Sequence, residues 1–492
     1  MSKNIRLYYL FRALSCAHLF KPFTFFYCMS RGLSIFEFML LYTIFSGAVI
    51  LLEVPTGAWA DRLGRRKSMA LGALLMGLSS LGYLLAYGFA LFAVFEFFFA
   101  VGLTLTSGAD SAFLYDTLKQ GGREEDYRNL EGRGSSAKHL GLMIAAVLGG
   151  LLATIHLALP YVATAVVSFF AVGVALCMSE RRGWASYTAD NAGSRIKGKI
   201  FETAPESGGS FIAQSAPYKK IHGKLAHIGA GFIDRWRGLK PHIGEALSLI
   251  HRKPALLWAI LYSSMIFVII RMSDALYQPV LKGQGFGFMA MGVIFGGLNL
   301  MAAVSSRNVN RLTRRLTEKG VMWALPVILI ISYMLLDALG PVMCVLLMTA
   351  QYSVTGVYSP FTKSLINHEI DSSNVRATVL SAESSIKRLV VAGMSPILGW
   401  LISSVSLRAG LYACAAVGMV GTLAVLMVNR RQRINGGTSD DGGGPHGKKG
   451  LIHGDVSLDV DATTLTKPET AMSQDVMGPN VVTADLVSEV KT

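Results

Sequence analysis

The stretch EVPTGAWADRLGRRK, residues 53–67, places six charged residues within fifteen positions. It lies between two long apolar runs, residues 34–52 and 69–95. A run of about 20 apolar residues is long enough to cross the hydrocarbon core of a bilayer as a helix. The stretch therefore predicts a short charged loop that joins two membrane-spanning helices.

The composition extends this interpretation to the rest of the chain. Of its 492 residues, 52% are hydrophobic and only 16% are charged, whereas soluble domains have about 25% charged residues. The sequence predicts an all-α membrane protein with twelve transmembrane helices. The predicted spans are 7–29, 34–56, 69–88, 90–114, 137–155, 160–179, 255–279, 286–306, 321–339, 341–362, 379–402 and 409–428.

The formal net charge of +15 has two interpretations, nucleic-acid binding and the enrichment of cations in cytoplasmic loops. The Lys and Arg residues concentrate in the loops that follow the even-numbered spans. No nucleic-acid-binding motif accompanies them, so we expect no nucleic-acid partner. We predict that these loops and both termini are cytoplasmic, in a bacterial inner membrane, and that the loops after odd-numbered spans form the exterior side.

Two polar segments divide the chain into predicted domains. Residues 181–253 are polar and basic, and they separate a six-helix bundle at 1–180 from a second one at 254–430. The basic linker fits attraction to anionic membrane lipids, and a specific partner is the alternative. Residues 431–492 are rich in Gly, Ser and Thr and cannot bury a core, so they predict a disordered cytoplasmic tail.

Within the charged stretch, two glycines, one acid and three arginines have a defined spacing: Gly57, Asp61, Arg62, Gly64, Arg65 and Arg66. This spacing resembles the signature Gly-x-Leu-Ala-Asp-Arg-x-Gly-Arg-Lys of the major facilitator superfamily, with Trp in place of Leu and Arg in place of Lys. The signature lies between spans 2 and 3 in that family, as it does here. The resemblance covers residues 1–430 and implies two six-helix bundles that form a transporter.

The resemblance also implies that this loop acts as a gate. In the family the acid pairs with the cytoplasmic end of span 11, where this chain has Glu383, Lys387 and Arg388. Such contacts exist in one access state and so bias the conformational equilibrium. The alternative is that the cations only hold the loop in the cytoplasm, which leaves the glycines and Asp61 unexplained. We expect the glycines to form a tight turn and Asp61 to meet a helix N-terminus.

Three further acids lie near this predicted gate. Glu53 precedes Pro55 at the predicted exit of span 2, and we expect it to pair with a loop arginine. Asp110 and Asp116 lie where span 4 reaches the cytoplasm, and they are candidates to meet Arg62 or Arg65.

Two other family signatures are only partly present. Residues 141–150 in span 5 keep the small residues of an antiporter motif but lack its proline, so they favour an efflux-like, prokaryotic branch or simply close helix packing. In span 4 the family arginine is replaced by Glu96, so the role of that arginine is not carried over.

Charged side chains inside the predicted spans indicate a functional site, because each costs at least about 2.5–3.5 kcal/mol to insert. In the resembled family, spans 1, 4, 7 and 10 line the central cavity. The candidate substrate and proton pathway comprises His18, Lys21, Glu96, Arg271, Asp274, Gln351 and Tyr352. His18 lies three residues before Lys21, which predicts that both side chains are on the same helical face. Ion pairs Lys21–Glu96 and Arg271–Asp274 are one interpretation, and a solute site with Glu96 or Asp274 as proton carrier is the other.

These features predict a monomeric secondary transporter of a small organic solute, with export in exchange for protons as the first hypothesis. Import or facilitated diffusion by the same fold, and a sensor or scaffold without transport, are the alternatives. We expect neither an enzyme nor an ATP-driven pump, and no cofactor or metal, because no phosphate-binding loop, metal-ligand spacing or nucleophile–base pair occurs in the sequence.

Overall fold

The computed structural model describes residues 3–180, 253–370 and 373–436. The predicted linker, apart from Lys253, and the predicted tail beyond Gly436 lie outside the described residues. The predicted domain boundaries therefore stay predictions. The described helices belong to one compact unit.

Fourteen α-helices occupy the described ranges, together with short 3₁₀ turns at Lys21–Phe23 and Glu124–Asp126. The α-helices are α1 (Lys3–Ser15), α2 (Thr24–Ser30), α3 (Ile35–Leu63), α4 (Arg65–Leu85), α5 (Gly88–Thr106), α6 (Ala109–Lys119), α7 (Tyr127–Ile155), α8 (Leu159–Cys177), α9 (Pro254–Gly283), α10 (Phe288–Arg307), α11 (Val309–Leu335), α12 (Pro341–His368), α13 (Ser373–Ser404) and α14 (Leu407–Gly436).

The all-helical membrane fold predicted from the sequence is confirmed. Within the described part of the chain, eleven helical segments are long and apolar enough to cross a membrane. The helices α5 and α6 together form one of them, span 4, with a bend at Gly108, whose φ is +84°. The remaining span, the first, is built from the shorter helices α1 and α2.

The first span is broken at its centre, and the prediction of one continuous helix over 7–29 was wrong. Pro22 lies in the 3₁₀ turn at the break, where its missing N–H and its ring prevent a continuous α-helix. The backbone N–H of Leu19 instead donates to the hydroxyl of Thr164 in α8, at 2.9 Å. Because residues 17–20 are not α-helical, the argument that His18 and Lys21 share one helical face also fails.

The two bundles approach each other closely on the predicted exterior side. A Cβ atom on Gly292 of α10 would lie 2.6 Å from the carbonyl oxygen of Ala146 and 2.7 Å from the Cα of Gly150, both in α7. A Cβ on Gly399 of α13 would likewise lie 2.7 Å from the Cβ of Met39 in α3. Small residues at these positions let helices from opposite bundles pack backbone against backbone.

We expect Gly292→Val to disrupt this packing, because its side chain has no room unless the bundles separate. The purified variant should unfold at a clearly lower temperature. A cysteine placed at Met39 should also become more reactive to a membrane-impermeant maleimide. The matched control is Gly297→Val in the same helix, where an added Cβ meets no atom within 4 Å. Equal melting temperatures and equal labelling in the two variants would contradict the packing argument.

Candidate functional site

The centre of the site is a carboxylate shared by two cations. Asp274 in α9 accepts a hydrogen bond from Arg271 Nη1 at 2.8 Å, and the two residues are one helical turn apart. Lys21 Nζ, at the break of the first span, lies 4.0 Å from the same carboxylate oxygen. The Lys21 side chain keeps 53% of its surface accessible, against 18% for Asp274. The group therefore joins the first bundle to the second.

Glu96 and His18 lie near this group but have other partners. The hydroxyl of Tyr83 in α4 donates a short hydrogen bond to Glu96, while the charge of Arg271 acts on Glu96 from the other bundle. The ring of His18 packs edge-on against Phe99, with centroids 5.1 Å apart. The Arg271–Asp274 pair expected from the sequence is present, whereas the ion-pair partner described for Lys21 is Asp274 and not Glu96.

The two span-10 candidates have different surroundings. Gln351 in α12 is buried, accepts a short hydrogen bond from the hydroxyl of Tyr277, and donates to Ser332 at 2.7 Å. It ties three helices of the second bundle together. Tyr352 is half-buried, and the charges of Asp274 and Arg271 act on its hydroxyl. Tyr352 therefore belongs to the central group, while the bonds of Gln351 connect helices within its own bundle.

A glutamine that sequence reasoning missed joins the bundles beside Lys21. Gln278 in α9 is 3% exposed, accepts a hydrogen bond from the backbone N–H of Phe25 at 2.9 Å and donates to the carbonyl oxygen of Lys21 at 3.2 Å. We name these two bonds the Gln278 latch. They add partners to backbone groups at the break, where the carbonyl oxygen of Lys21 also accepts from the hydroxyl of Thr24 at 3.3 Å. Backbone groups need such partners wherever no water is present.

Each bundle also contains a polar cluster of its own. In the first, Arg12 of α1 pairs closely with Asp110 of α6 and lies 3.5 Å from Glu131 of α7, which also accepts from the hydroxyl of Tyr8 at 2.6 Å. The described ion-pair partner of Asp110 is Arg12, while the expected contact with Arg62, whose side chain lies outside the described residues, stays a prediction. The feature of the sequence that could have indicated this cluster is Arg12, a basic residue inside the predicted span 1.

The second bundle has its cluster at the equivalent spans. Glu383 of α13 accepts from Ser263 of α9 and pairs with Lys387, each at 2.5 Å. Tyr358 of α12 contacts both Ser263 and Lys387 at 3.1 Å. Spans 7, 10 and 11 are thus tied together as spans 1, 4 and 5 are in the first bundle. Glu383 lies four residues after Val379, where the apolar span within α13 begins, so it lies near the end of span 11 that the sequence predicts to be cytoplasmic.

The charged loop of the family signature is shorter than predicted. The helix α3 continues through Pro55 and Gly57 to Leu63, so only Gly64, with φ +93°, forms the turn. An added Cβ on Gly57 meets nothing within 4 Å. The side chains of Asp61 and Arg62 lie outside the described residues, so the predicted contact of Asp61 with span 11 stays a prediction.

Beyond the turn, two acids contact the start of α4. The carboxylate of Glu180, which follows span 6, accepts from the backbone N–H groups of Arg65 at 2.9 Å and Arg66 at 3.4 Å. An acid at a helix N-terminus is favourable because the helix dipole is positive there. The Arg65 guanidinium lies 3.8 Å from Asp116, one of the two pairings expected from the sequence. Glu180 was not predicted, although its position directly after a span was a usable signal.

Two residues of opposite charge, Glu53 and Arg388, lie in different bundles. The negative charge of Glu53 in α3 acts on the guanidinium group of Arg388 in α13. The positive charge of Arg271 in α9 acts on the same group. The Nε atom of Arg388 is buried and has no hydrogen-bond partner among the described atoms. Glu53 is therefore close enough to a cation of the opposite bundle to be influenced by its charge, and its expected pairing with a loop arginine stays a prediction, because the side chain of Arg62 lies outside the described residues.

Comparison with known proteins identifies the family. The model of the Major Facilitator Superfamily matches residues 14–382. The chain belongs to the major facilitator superfamily. It is therefore an integral, multi-pass membrane protein with the fold of a small-molecule transporter, which indicates a transporter and not an enzyme. No curated protein sequence shows a significant match to it.

Several solved transporters share this superfamily fold at low sequence identity. A mutant of the nucleoside transporter NupG aligns with a TM-score of 0.68 and 12% identity, covering 87% of this chain and 100% of that one. A bacterial homolog to the human lysosomal transporter Spinster, inward-facing and unoccupied, gives 0.62 and 16%, covering 87% and 98%. A D-xylose-proton symporter gives 0.60 and 14%, covering 86% and 96%.

We expect Glu383→Gln to destabilise this superfamily member strongly. Removing one partner of a buried ion pair leaves the other charge uncompensated and costs about 3–5 kcal/mol of unfolding free energy. The measurement is unfolding of the purified variant by heat or denaturant.

The matched control is Asp337→Asn, because the Asp337–Arg408 pair is held at 2.6 Å but the arginine side chain is 69% exposed. Exposed pairs contribute little, so this variant should melt close to the parent. The double variant Glu383→Gln with Lys387→Met should recover stability relative to Glu383→Gln alone. Equal stability of the two single variants would contradict the assignment.

We also expect Gln278→Leu to favour opening on the predicted exterior side, because both bonds of the latch are lost while the volume is similar. Spin labels on the exterior ends of α2 and α9 should show a larger population at long distance. Gln284→Leu, which removes a glutamine just beyond α9, is the control and should leave the distances unchanged. Identical distance distributions would show that the latch does not hold this side closed.

Proposed function

We propose that the protein is a proton-coupled secondary transporter of a small organic solute that works by alternating access. The observation that carries the proposal is the central group, in which Lys21 of one bundle lies 4.0 Å from Asp274 of the other. A site at the interface of two bundles is exposed to alternate sides when the bundles rock against each other. Charges at this interface change partners during the motion, and the coupling of solute transport to proton movement requires such a change.

Asp274 and Glu96 are the proposed proton-carrying groups. Asp274 lies beside one cation of each bundle, and Glu96 accepts from a hydroxyl of its own bundle while the charge of Arg271 acts on it from the other. Burial disfavours the charged form of a carboxyl group, so protonation can accompany a change of partner. One structural neighbour is named a proton symporter, which supports coupling to protons in this fold.

The proposed direction is export in exchange for protons, in an efflux-like prokaryotic branch. The small residues at 141–150 in span 5 agree with an antiporter motif, and close packing of helices explains them equally well. An added Cβ on Gly141 or Gly149 would collide with the backbone of Ala13 or Leu19, on either side of the break in span 1. Import by the same fold therefore remains the second candidate, favoured by the neighbour named a symporter. A scaffold would have no use for the charges at the bundle interface.

We further propose a bacterial inner membrane as the location, with both termini in the cytoplasm and the protein acting as a monomer. The support for the orientation is the concentration of Lys and Arg in the loops after even-numbered spans.

The test uses everted membrane vesicles with an acidified lumen and a pH-sensitive dye. A solute exported in exchange for protons should release protons when it is added outside, and an imported one when it is loaded in the lumen. We expect Glu96→Gln or Asp274→Asn to abolish the signal at equal protein levels, while Asp337→Asn keeps it. Solute movement that is independent of the proton gradient in every variant would rule out proton coupling.

A further inference from the structure

We propose that a groove between spans 7, 9 and 12 binds an anionic phospholipid, with an acyl chain in the groove and the headgroup beside Lys319. The lipid belongs to the leaflet at the end of the protein where the basic loops lie. The groove lies within the second bundle, so the inference does not depend on the identity of the transported solute.

The groove is formed by aromatic and aliphatic side chains of three helices. About 290 Å³ of space lies between them, part of it open to the surroundings. The rings of Trp258 and Tyr262 stack with their centroids 5.5 Å apart and form one continuous wall. We name the space the aromatic groove, and six of the side chains that line it are Trp258, Tyr262 and Met265 of α9, Met322 and Trp323 of α11, and Val425 of α14.

Most polar atoms of the aromatic groove are already bonded to the protein. The indole N–H of Trp258 donates to a backbone carbonyl oxygen of α14 at 3.1 Å, and the hydroxyl of Tyr262 donates to one of α11 at 2.8 Å. The hydroxyl of Thr422, which also lines the groove, donates within α14 at 2.7 Å. A site for a polar solute offers convergent polar groups. A groove whose polar groups are bonded to the protein fits a hydrocarbon chain instead.

The groove lies at the end of the bundle where α9 and the apolar part of α11 begin. Lys319 precedes Met322 by three residues and Trp323 by four, so the three side chains share one face of α11. Trp323 is 41% exposed, and exposed tryptophans are typical of the membrane–water interface. Lys319 is exposed one turn before the groove, where its ammonium group can reach a phosphate while its stem lies on apolar surface.

The segment of α11 before the groove carries a strong positive charge. From Arg307 to Lys319 the sequence has five basic residues, all of them exposed, and one acid, Glu318. The helical geometry is interrupted at Thr317, whose hydroxyl accepts from the backbone N–H of Gly320 at 3.2 Å. The apolar part of α11 therefore starts again after the basic segment.

This charge selects the occupant of the groove. Exposed Lys and Arg residues at a membrane surface attract anionic lipids, whereas a neutral lipid gains nothing from them. A second copy of the chain, docked symmetrically on the same groove, would bring its own basic segment against this one. An anionic phospholipid matches both the apolar groove and the positive charge at its end.

The experiment is tryptophan quenching in liposomes that contain the purified full-length protein. A fixed fraction of the lipid carries brominated acyl chains, attached either to phosphatidylglycerol or to phosphatidylcholine, because bromine quenches a tryptophan that it contacts. We expect stronger quenching by the brominated phosphatidylglycerol. Trp323→Phe should remove at least half of this difference. The matched control is Trp400→Phe in α13, which removes a 60% exposed tryptophan outside the groove and should keep the difference.

Lys319→Gln should lower the preference for phosphatidylglycerol about fivefold, the factor that corresponds to one lysine near an anionic surface. Lys319→Arg should keep most of the preference. Lys67→Gln, which removes an exposed lysine near the start of α4 in the first bundle, should not change it. Melting curves confirm that each variant is folded.

Equal quenching by the two brominated lipids overturns the inference. A difference that persists in full in Trp323→Phe or in Lys319→Gln overturns the proposed site. Quenching at Trp323 that increases as the protein is diluted in lipid would show that a second copy covers the groove, and this result also overturns the inference. Each of these outcomes leaves the proposed transport function standing.

Discussion

The fold depends on one constraint, which is that a charge at membrane depth needs a partner. Arg12 with Asp110 and Lys387 with Glu383 meet this requirement inside their own bundles. The two clusters join equivalent spans in the two halves, so each bundle is held together at its core by ionic and hydrogen-bonded contacts. Because breaking such contacts in hydrocarbon is expensive, the proposed mechanism requires each bundle to move as a unit, with the motion at the interface between them.

The interface differs from the bundle interiors in the kind of contact it contains. On the predicted exterior side, glycines bring backbones together and the Gln278 latch adds two hydrogen bonds. Near the centre, the described ion pair between the bundles is the longer one of Lys21 with Asp274. Short-range packing can hold one side closed, while the charges between the bundles can exchange partners without loss of the fold.

The sequence was sufficient for the fold because the signals that define it are long or locally spaced. Apolar runs of about 20 residues predict spans, and the spacing around Asp61 predicts the superfamily. The pair of Arg271 and Asp274 was also accessible, since three residues separate the partners on one helix.

Contacts between distant residues were not accessible in the same way. Nothing local indicates that Asp110 meets Arg12, 98 residues away, or that Gln278 bonds to the backbone 253 residues earlier. The break in span 1 was only weakly signalled, because Pro22 inside a membrane helix is compatible with a kink as well as with a full interruption. The break decides where Lys21 points, and so the site could be predicted by its residues but not by its pairings.

The break in the first span has a consequence for the solvent. The N–H of Phe25 bonds to Gln278 only while the bundles are in contact there, whereas the carbonyl of Lys21 also accepts from Thr24 of its own bundle. When they separate, water has to replace the glutamine, because hydrocarbon offers no hydrogen bonds. The two access states therefore differ in hydration as well as in geometry. Water activity becomes a variable of the transport cycle, and excluded osmolytes such as sucrose should shift the population toward the arrangement that is closed on this side.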